Sequence, residues 1–294
     1  MFTNYFDIQK GGISNFQIMY CYIAASSITT IIDNPFCVYR QLTQQSTLDP
    51  KITKGKVKKT FFKSPLTVAF SGISPRLFGI FLKKVPVYGL LSGISYLRNE
   101  KETISLGSVM YSSFLSAIII NPVRFIEKQQ RSSFLKDGTK KSIGYIFKES
   151  SNEKYKPFFR GLVPHMSHSV ISGCLALCGQ SQLQKMISRK IKTKSFLGEI
   201  TSNLLSSCLI SPIYVILTNP LSRIETMIQT ATIKKSAPSL KDCIVSIKQD
   251  YKKYGFHGFF RGQGVGMIKA IVHLTTFHQA RMMFIQKTKI WNQL

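Results

Sequence analysis

The sequence predicts an all-α membrane protein: six transmembrane helices in three repeats, with short surface helices between the long ones. Three observations carry this. First, Asn-Pro closes an apolar run three times, at Asn34-Pro35, Asn121-Pro122 and Asn219-Pro220, the prolines standing 87 and 98 residues apart (122 − 35 and 220 − 122). Second, Phe70-Ser71-Gly72, Phe159-Arg160-Gly161 and Phe260-Arg261-Gly262 follow in the same order, their glycines 37, 39 and 42 residues after the prolines. Two landmarks recurring in one order are the mark of a threefold internal repeat. Third, the apolar runs 18–36, 106–120 and 204–217 each lead into Lys-rich polar segments. That alternation suits a polytopic membrane protein. The net charge of +27 calls for an anionic partner. Between nucleic acid and anionic lipid, the apolar runs favour lipid, and no nucleic-acid partner is expected.

Helix 1 is expected over 14–45. Ser26, Ser27, Thr29, Thr30 and Asp33 interrupt its apolar residues, so one face looks onto other helices or water. Pro35 removes a backbone donor and should kink it, as Pro122 and Pro220 should kink their helices. Segment 51–63 reads as a basic surface helix. Gly72 opens helix 2, over 73–98, and 98–103 is a short polar turn. Helix 3 covers 104–134, and 140–151 is an amphipathic surface helix with Ile143, Ile146 and Phe147 on one side. Helix 4 spans 162–188, and 189–195 is a second polar turn. Helix 5 runs over 196–230. A surface helix over 239–251 aligns Leu240, Ile244 and Ile247, and helix 6 covers 263–287. The repeats are 1–103, 104–195 and 196–294, together one bundle. The three long connectors carry excess Lys and Arg and should share the positive side. The basic turn 189–194 breaks that rule and has no physical account.

The six cysteines are scattered within apolar runs and read as small buried hydrophobes. No His or acid completes a zinc pattern around Cys174 and Cys178, and no metal site is expected. The N-terminus has neither a secretory signal nor a transit peptide, so targeting information is expected to be internal. No nucleophile–base pair or phosphate loop points to an enzyme.

A proline in each odd helix and an aromatic-basic-glycine step before each even one resemble the mitochondrial carrier family over nearly the whole chain. The resemblance implies a six-helix bundle in the mitochondrial inner membrane, with short helices and basic connectors in the matrix. It also implies alternating access to a central site between a matrix gate and a cytoplasmic gate. In the family an acid two residues after each proline pairs with the base five residues after the next repeat's proline. Here the acid positions hold Cys37, Arg124 and Ser222, and the basic positions Arg40, Glu127 and Glu225. Arg124 with Glu225 is the one pair of opposite charge, with its sign inverted, and is expected in contact when the matrix side is closed. Cys37 with Glu127 and Ser222 with Arg40 form no pair. The glutamine set beneath this ring is matched by Gln44 and Gln229, with Arg131 in the middle copy. At the cytoplasmic gate the acid positions fall near Ser92, Ser181 and Arg281, and no acid is available.

The family's central site falls on Gly79, His168 and Lys269, where His168, Ser169 and Lys269 could bind a small anion. Gly161 with Arg160 and Gly262 with Arg261 set helix-start donors beside a base. By resemblance these are cardiolipin sites, and Gly72 is a weaker one because Ser71 replaces the base. Cardiolipin as bound lipid is expected, with no other cofactor. Two functions remain: a non-transporting accessory subunit of a larger inner-membrane complex, for example of the respiratory chain, or a carrier exchanging a small anionic metabolite. Loss of charge at both gates favours the first.

Overall fold

The computed structural model describes residues 15–45, 54–63, 65–82, 106–136, 138–191, 196–233, 236–255 and 263–291. Every regular element among them is helical. In chain order these are α1 (Asn15–Gln45), α2 (Lys54–Lys63), α3 (Pro65–Ala69), α4 (73–82), α5 (Leu106–Lys136), α6 (Ile143–Asn152) and α7 (Leu162–Gly173). They continue with α8 (Gln180–Ile191), α9 (Phe196–Gln229), α10 (Leu240–Tyr254) and α11 (Gln263–Trp291). A short 3₁₀ turn, Lys156–Phe159, precedes α7, and a π-helical stretch, Cys174–Gly179, joins α7 to α8. The helix expected over 162–188 is therefore one rod with a π segment inside it, running on to Ile191. The remainder of helix 2, the turn 98–103, residues 192–195, Ser92, Arg261 and Gly262 lie outside the described residues.

Polarity is distributed inside out relative to a water-soluble bundle. On α9, Ser202, Asn203, Ser206, Ser207 and Ser211 are buried, while Leu205, Leu209, Ile213, Ile216 and Leu217 are exposed. On α5, Ser112, Ser113 and Ser116 face in while Met110, Tyr111, Phe114 and Ile119 face out. Exposed apolar faces around a polar interior are what lipid selects, since hydrocarbon gives helices no hydrophobic reason to associate and leaves small and polar residues to hold them. Among the described residues three stretches are long and apolar enough to cross a membrane: Pro65–Leu82, Val109–Phe134 and Ile200–Gln229.

The helices pack as a ring. α1 lies along α11, α11 along α9, α9 along α7, and α7 along α5. α4 closes the circuit: Arg76 reaches Asn34 on α1, and a Cβ on Gly79 would sit 3.2 Å from Ile120 on α5. α7 approaches α5 so closely that a Cβ on Gly173 would come within 2.4 Å of the Ser113 hydroxyl. Only glycine permits that approach.

The landmarks of the first two repeats are built alike. Gly72 and Gly161 both take a left-handed backbone, φ +69 in each, at the start of an even helix. The Asn34 amide donates to the carbonyl of Ala69, and the Asn121 amide to that of Phe158 at 2.6 Å, one residue before the two expected phenylalanines. The surface helices also differ from the expected pattern. On α10 the inward side is Cys243 and Ile247, and Leu240 and Ile244 are exposed. On α6 Ile146 alone of the expected trio is buried, against Phe125 and Phe158. Both helices thus have apolar residues on two sides.

Candidate functional site

The odd helices converge at their C-terminal ends, where Arg40, Gln44, Glu127, Lys128, Gln129, Arg131, Glu225 and Gln229 are all buried. So many polar side chains away from water must satisfy one another. They do so across each seam between repeats.

Three hydrogen bonds repeat the same connection around the axis. Arg131 donates to Asn34 Oδ1 at 2.8 Å, Gln229 to Asn121 Oδ1 at 3.0 Å, and Gln44 to Asn219 Oδ1 at 3.3 Å. Each donor stands nine residues after its proline, and each acceptor is the asparagine just before the proline of another repeat. The donor also reaches the carbonyl preceding the left-handed glycine: Arg131 Nε to Ser71 O at 3.3 Å, Gln229 Nε2 to Arg160 O at 3.1 Å. The glycines leave room for this. A Cβ on Gly72 would sit 3.3 Å from Arg131 Nε, and one on Gly161 3.2 Å from Gln229 Cγ. Arginine therefore serves in the middle copy because it reaches the same two acceptors as glutamine.

The charges are arranged differently from the sequence expectation. Arg124 does not pair with Glu225. Its carboxylate partner among the described residues is Glu127 on its own helix, at 3.9 Å. Glu225 instead binds the Lys128 ammonium at 3.0 Å and lies 3.3 Å from His165 Nδ1. The adjacent residue took the role because α5 turns Lys128, one position beyond Glu127, toward α9. Glu127, expected without a partner opposite Cys37, is held by Arg131 at 2.6 Å and Arg76 at 3.9 Å. Arg40, expected without a partner opposite Ser222, donates to Asn219 Oδ1 at 3.0 Å. Other bonds cross the seams: Gln41 to Lys128 O at 3.0 Å, Gln129 to Gln229 O at 2.7 Å, and the Thr226 hydroxyl to Gln44 Oε1 at 3.3 Å.

Toward the other end, Asp33 is fully buried between Arg76 Nη2 and His273 Nδ1, each at 2.7 Å. His273 stacks on Phe277 and stays 39% exposed; the Arg124 side chain is 31% exposed. Lys269 lies near enough to Asp33 and His273 to act on both electrostatically.

The family model for mitochondrial carrier proteins matches residues 198–288, from the first turn of α9 into the last turns of α11. Over these residues, about a third of the chain, the protein is similar to mitochondrial carrier proteins. A comparison with curated proteins returns no match. The match, together with the apolar helices, supports a carrier-like membrane protein.

Of the expected central-site residues, Gly79 is spent on helix packing, its Cβ position filled by Ile120 and Val123 of α5. Ser169 is buried. His168 joins His165 and Glu225 in one group on α7 and α9, whereas Lys269 stands with Asp33 and His273 on α1 and α11. Among the described residues no hydrogen bond or ion pair links His168 to Lys269. The Arg160 guanidinium, expected beside a lipid headgroup, donates to the carbonyls of Thr232 at 3.2 Å and Ile233 at 3.0 Å. It ties the loop after α9 to the start of α7. Ser181 and Arg281 fall within α8 and α11.

Sequence reasoning passed over Asp33, Arg76, Lys128, His165, His273 and the three asparagines as site residues. The asparagines were visible, since Asn precedes the proline in all three copies. His165 stands one helical turn before His168. Arg76 and His273 carried no comparable signal.

Proposed function

We propose that the chain is a non-transporting member of the mitochondrial carrier family in the mitochondrial inner membrane, an accessory subunit of a larger inner-membrane assembly, for example a respiratory-chain complex. The observation that carries this is the closed polar network joining all three repeats at the C-terminal ends of the odd helices, the end the family places in the matrix. Alternating access needs two states of comparable free energy. Nine cross-repeat hydrogen bonds at about 0.6 kcal/mol each amount to about 5 kcal/mol, which leaves on the order of 0.01% of molecules open on this side. A carrier offsets such a network with an ion-pair ring at the opposite gate. Here segment 73–98 and the helices α8 and α11 contain no Asp or Glu, so no such ring forms between them.

A second reading, exchange of a small anionic metabolite, draws on Arg124, Lys269 and His273, cationic or titratable groups that keep some exposure inside the bundle. Anionic lipid, cardiolipin above all, is proposed at the helix starts after Gly72, Gly161 and Gly262. With Arg160 engaged elsewhere, backbone N–H groups would carry the contact after Gly161.

Gentle extraction from the native membrane, followed by native electrophoresis and mass spectrometry, tests the reading. Co-migration with a large inner-membrane complex is the expected result. A lone protein that exchanges anionic metabolites in liposomes, with exchange lost in Lys269→Ala, would overturn it in favour of the carrier.

A further inference from the structure

His165 and His168 lie one turn apart on α7, and Glu225 faces them from α9. Their ligating atoms all lie within 4.8 Å of one another. His165 Nδ1 and Glu225 Oε1 are 3.3 Å apart. Two ligands on a tetrahedral ion with bonds of about 2.0–2.1 Å are separated by about 3.3–3.4 Å, so this pair already has the spacing of a coordinated set. Two imidazoles and one carboxylate, with a fourth position open, suit a borderline divalent transition metal better than Ca²⁺ or Mg²⁺, which take oxygen ligands. The carboxylate holds a cation as it stands: the Lys128 ammonium is 3.0 Å from Glu225 Oε1 and also donates to the Thr226 hydroxyl at 3.3 Å.

We infer that His165, His168 and Glu225 form a binding site for one divalent transition-metal ion of the Zn²⁺ class, with the Lys128 ammonium as the competing occupant of the carboxylate. Metal binding moves the ammonium off Glu225 Oε1, and the Thr226 hydroxyl remains as its acceptor. The metal joins α7 to α9, so it strengthens the seam between the second and third repeats. The site is independent of whether the chain transports, because its three ligands and its competitor are fixed by helix packing alone.

The test is titration of the full chain, purified with its lipids and stripped by chelator, with Zn²⁺ by calorimetry and with Co²⁺ by absorption. The expected result is one equivalent bound, with the visible bands of tetrahedral nitrogen and oxygen ligation and no thiolate-to-metal charge transfer. His168→Ala should weaken binding about tenfold or more, as should Glu225→Gln. Lys128→Met should tighten it about tenfold by removing the competitor. His273→Ala, which touches Asp33 instead, should leave it unchanged. Absence of stoichiometric binding, thiolate bands, equal affinity in His168→Ala, or no tightening in Lys128→Met would each overturn the assignment. If Glu225→Gln does not fold, His168→Ala and Lys128→Met still decide, since one must lose affinity and the other gain it.

Discussion

Arg131 and Gln229 make the same pair of contacts in different repeats, but their removal should differ in cost. Gln229 is neutral, and its loss leaves Asn121 Oδ1 and Arg160 O without one donor. Gln229→Ala should cost about 1 kcal/mol. Arg131 also neutralises Glu127 at 2.6 Å, and both are buried. Arg131→Ala leaves that carboxylate short of a cation and should cost about 3–5 kcal/mol. Arg131→Gln should fall between, since it restores the bond to Asn34 without the charge. Thermal unfolding of the three variants in one detergent checks the order. Cys243 gives a second test at this scale. Burial on the inner side of α10 pushes its thiol up to about 11. At pH 8 about one molecule in a thousand then carries the reactive thiolate. Alkylation of Cys243 should be negligible in the folded protein and rapid after denaturation; rapid labelling of native protein would show the thiol exposed.

At the scale of elements, α10 begins with a capping box. The Ser239 hydroxyl accepts from the Asp242 N–H at 3.2 Å, and the Asp242 carboxylate accepts from the Ser239 N–H at 2.9 Å. Those bonds from Ser239 hold the Asp242 carboxyl below the usual carboxylate range. The folded value is thus below the unfolded one, so the cap contributes fully above the unfolded value of about 3.9 and is lost as pH falls through the folded one. Amide exchange in residues 240–243, corrected for intrinsic rate, should be constant above about pH 5 and rise in acid. Asp242→Asn should abolish that dependence. The long helices α1, α5 and α9 were legible to within a few residues, because apolar runs, Asn-Pro and the glycine landmarks punctuate the chain. The π segment at Cys174–Gly179 was not legible, since its residues fit an α-helix equally well. The gate was half legible. The donor positions Gln44, Arg131 and Gln229 followed from the repeat, but their acceptors followed only from helix rotation. The same rotation decided that Lys128, not Arg124, meets Glu225.

For the whole molecule, each seam between repeats has its own chemistry. Arg131 binds Asn34 and Arg76 reaches Glu127 at the first, Lys128 binds Glu225 at the second, and Arg40 and Gln44 bind Asn219 at the third. A pattern that keeps the threefold hydrogen bonds yet reassigns the charges fits a bundle that must stay closed more than one that must open and close. Spin labels at Lys148 on α6 and Lys248 on α10, both exposed, span this end of the bundle. The decisive measurement is the electron–electron distance between them, in a background whose other reactive cysteines are replaced, in lipid, with and without anionic metabolites. The account predicts one narrow distance that no metabolite changes. A second, longer distance, or a shift on adding metabolite, would contradict it and show a working gate.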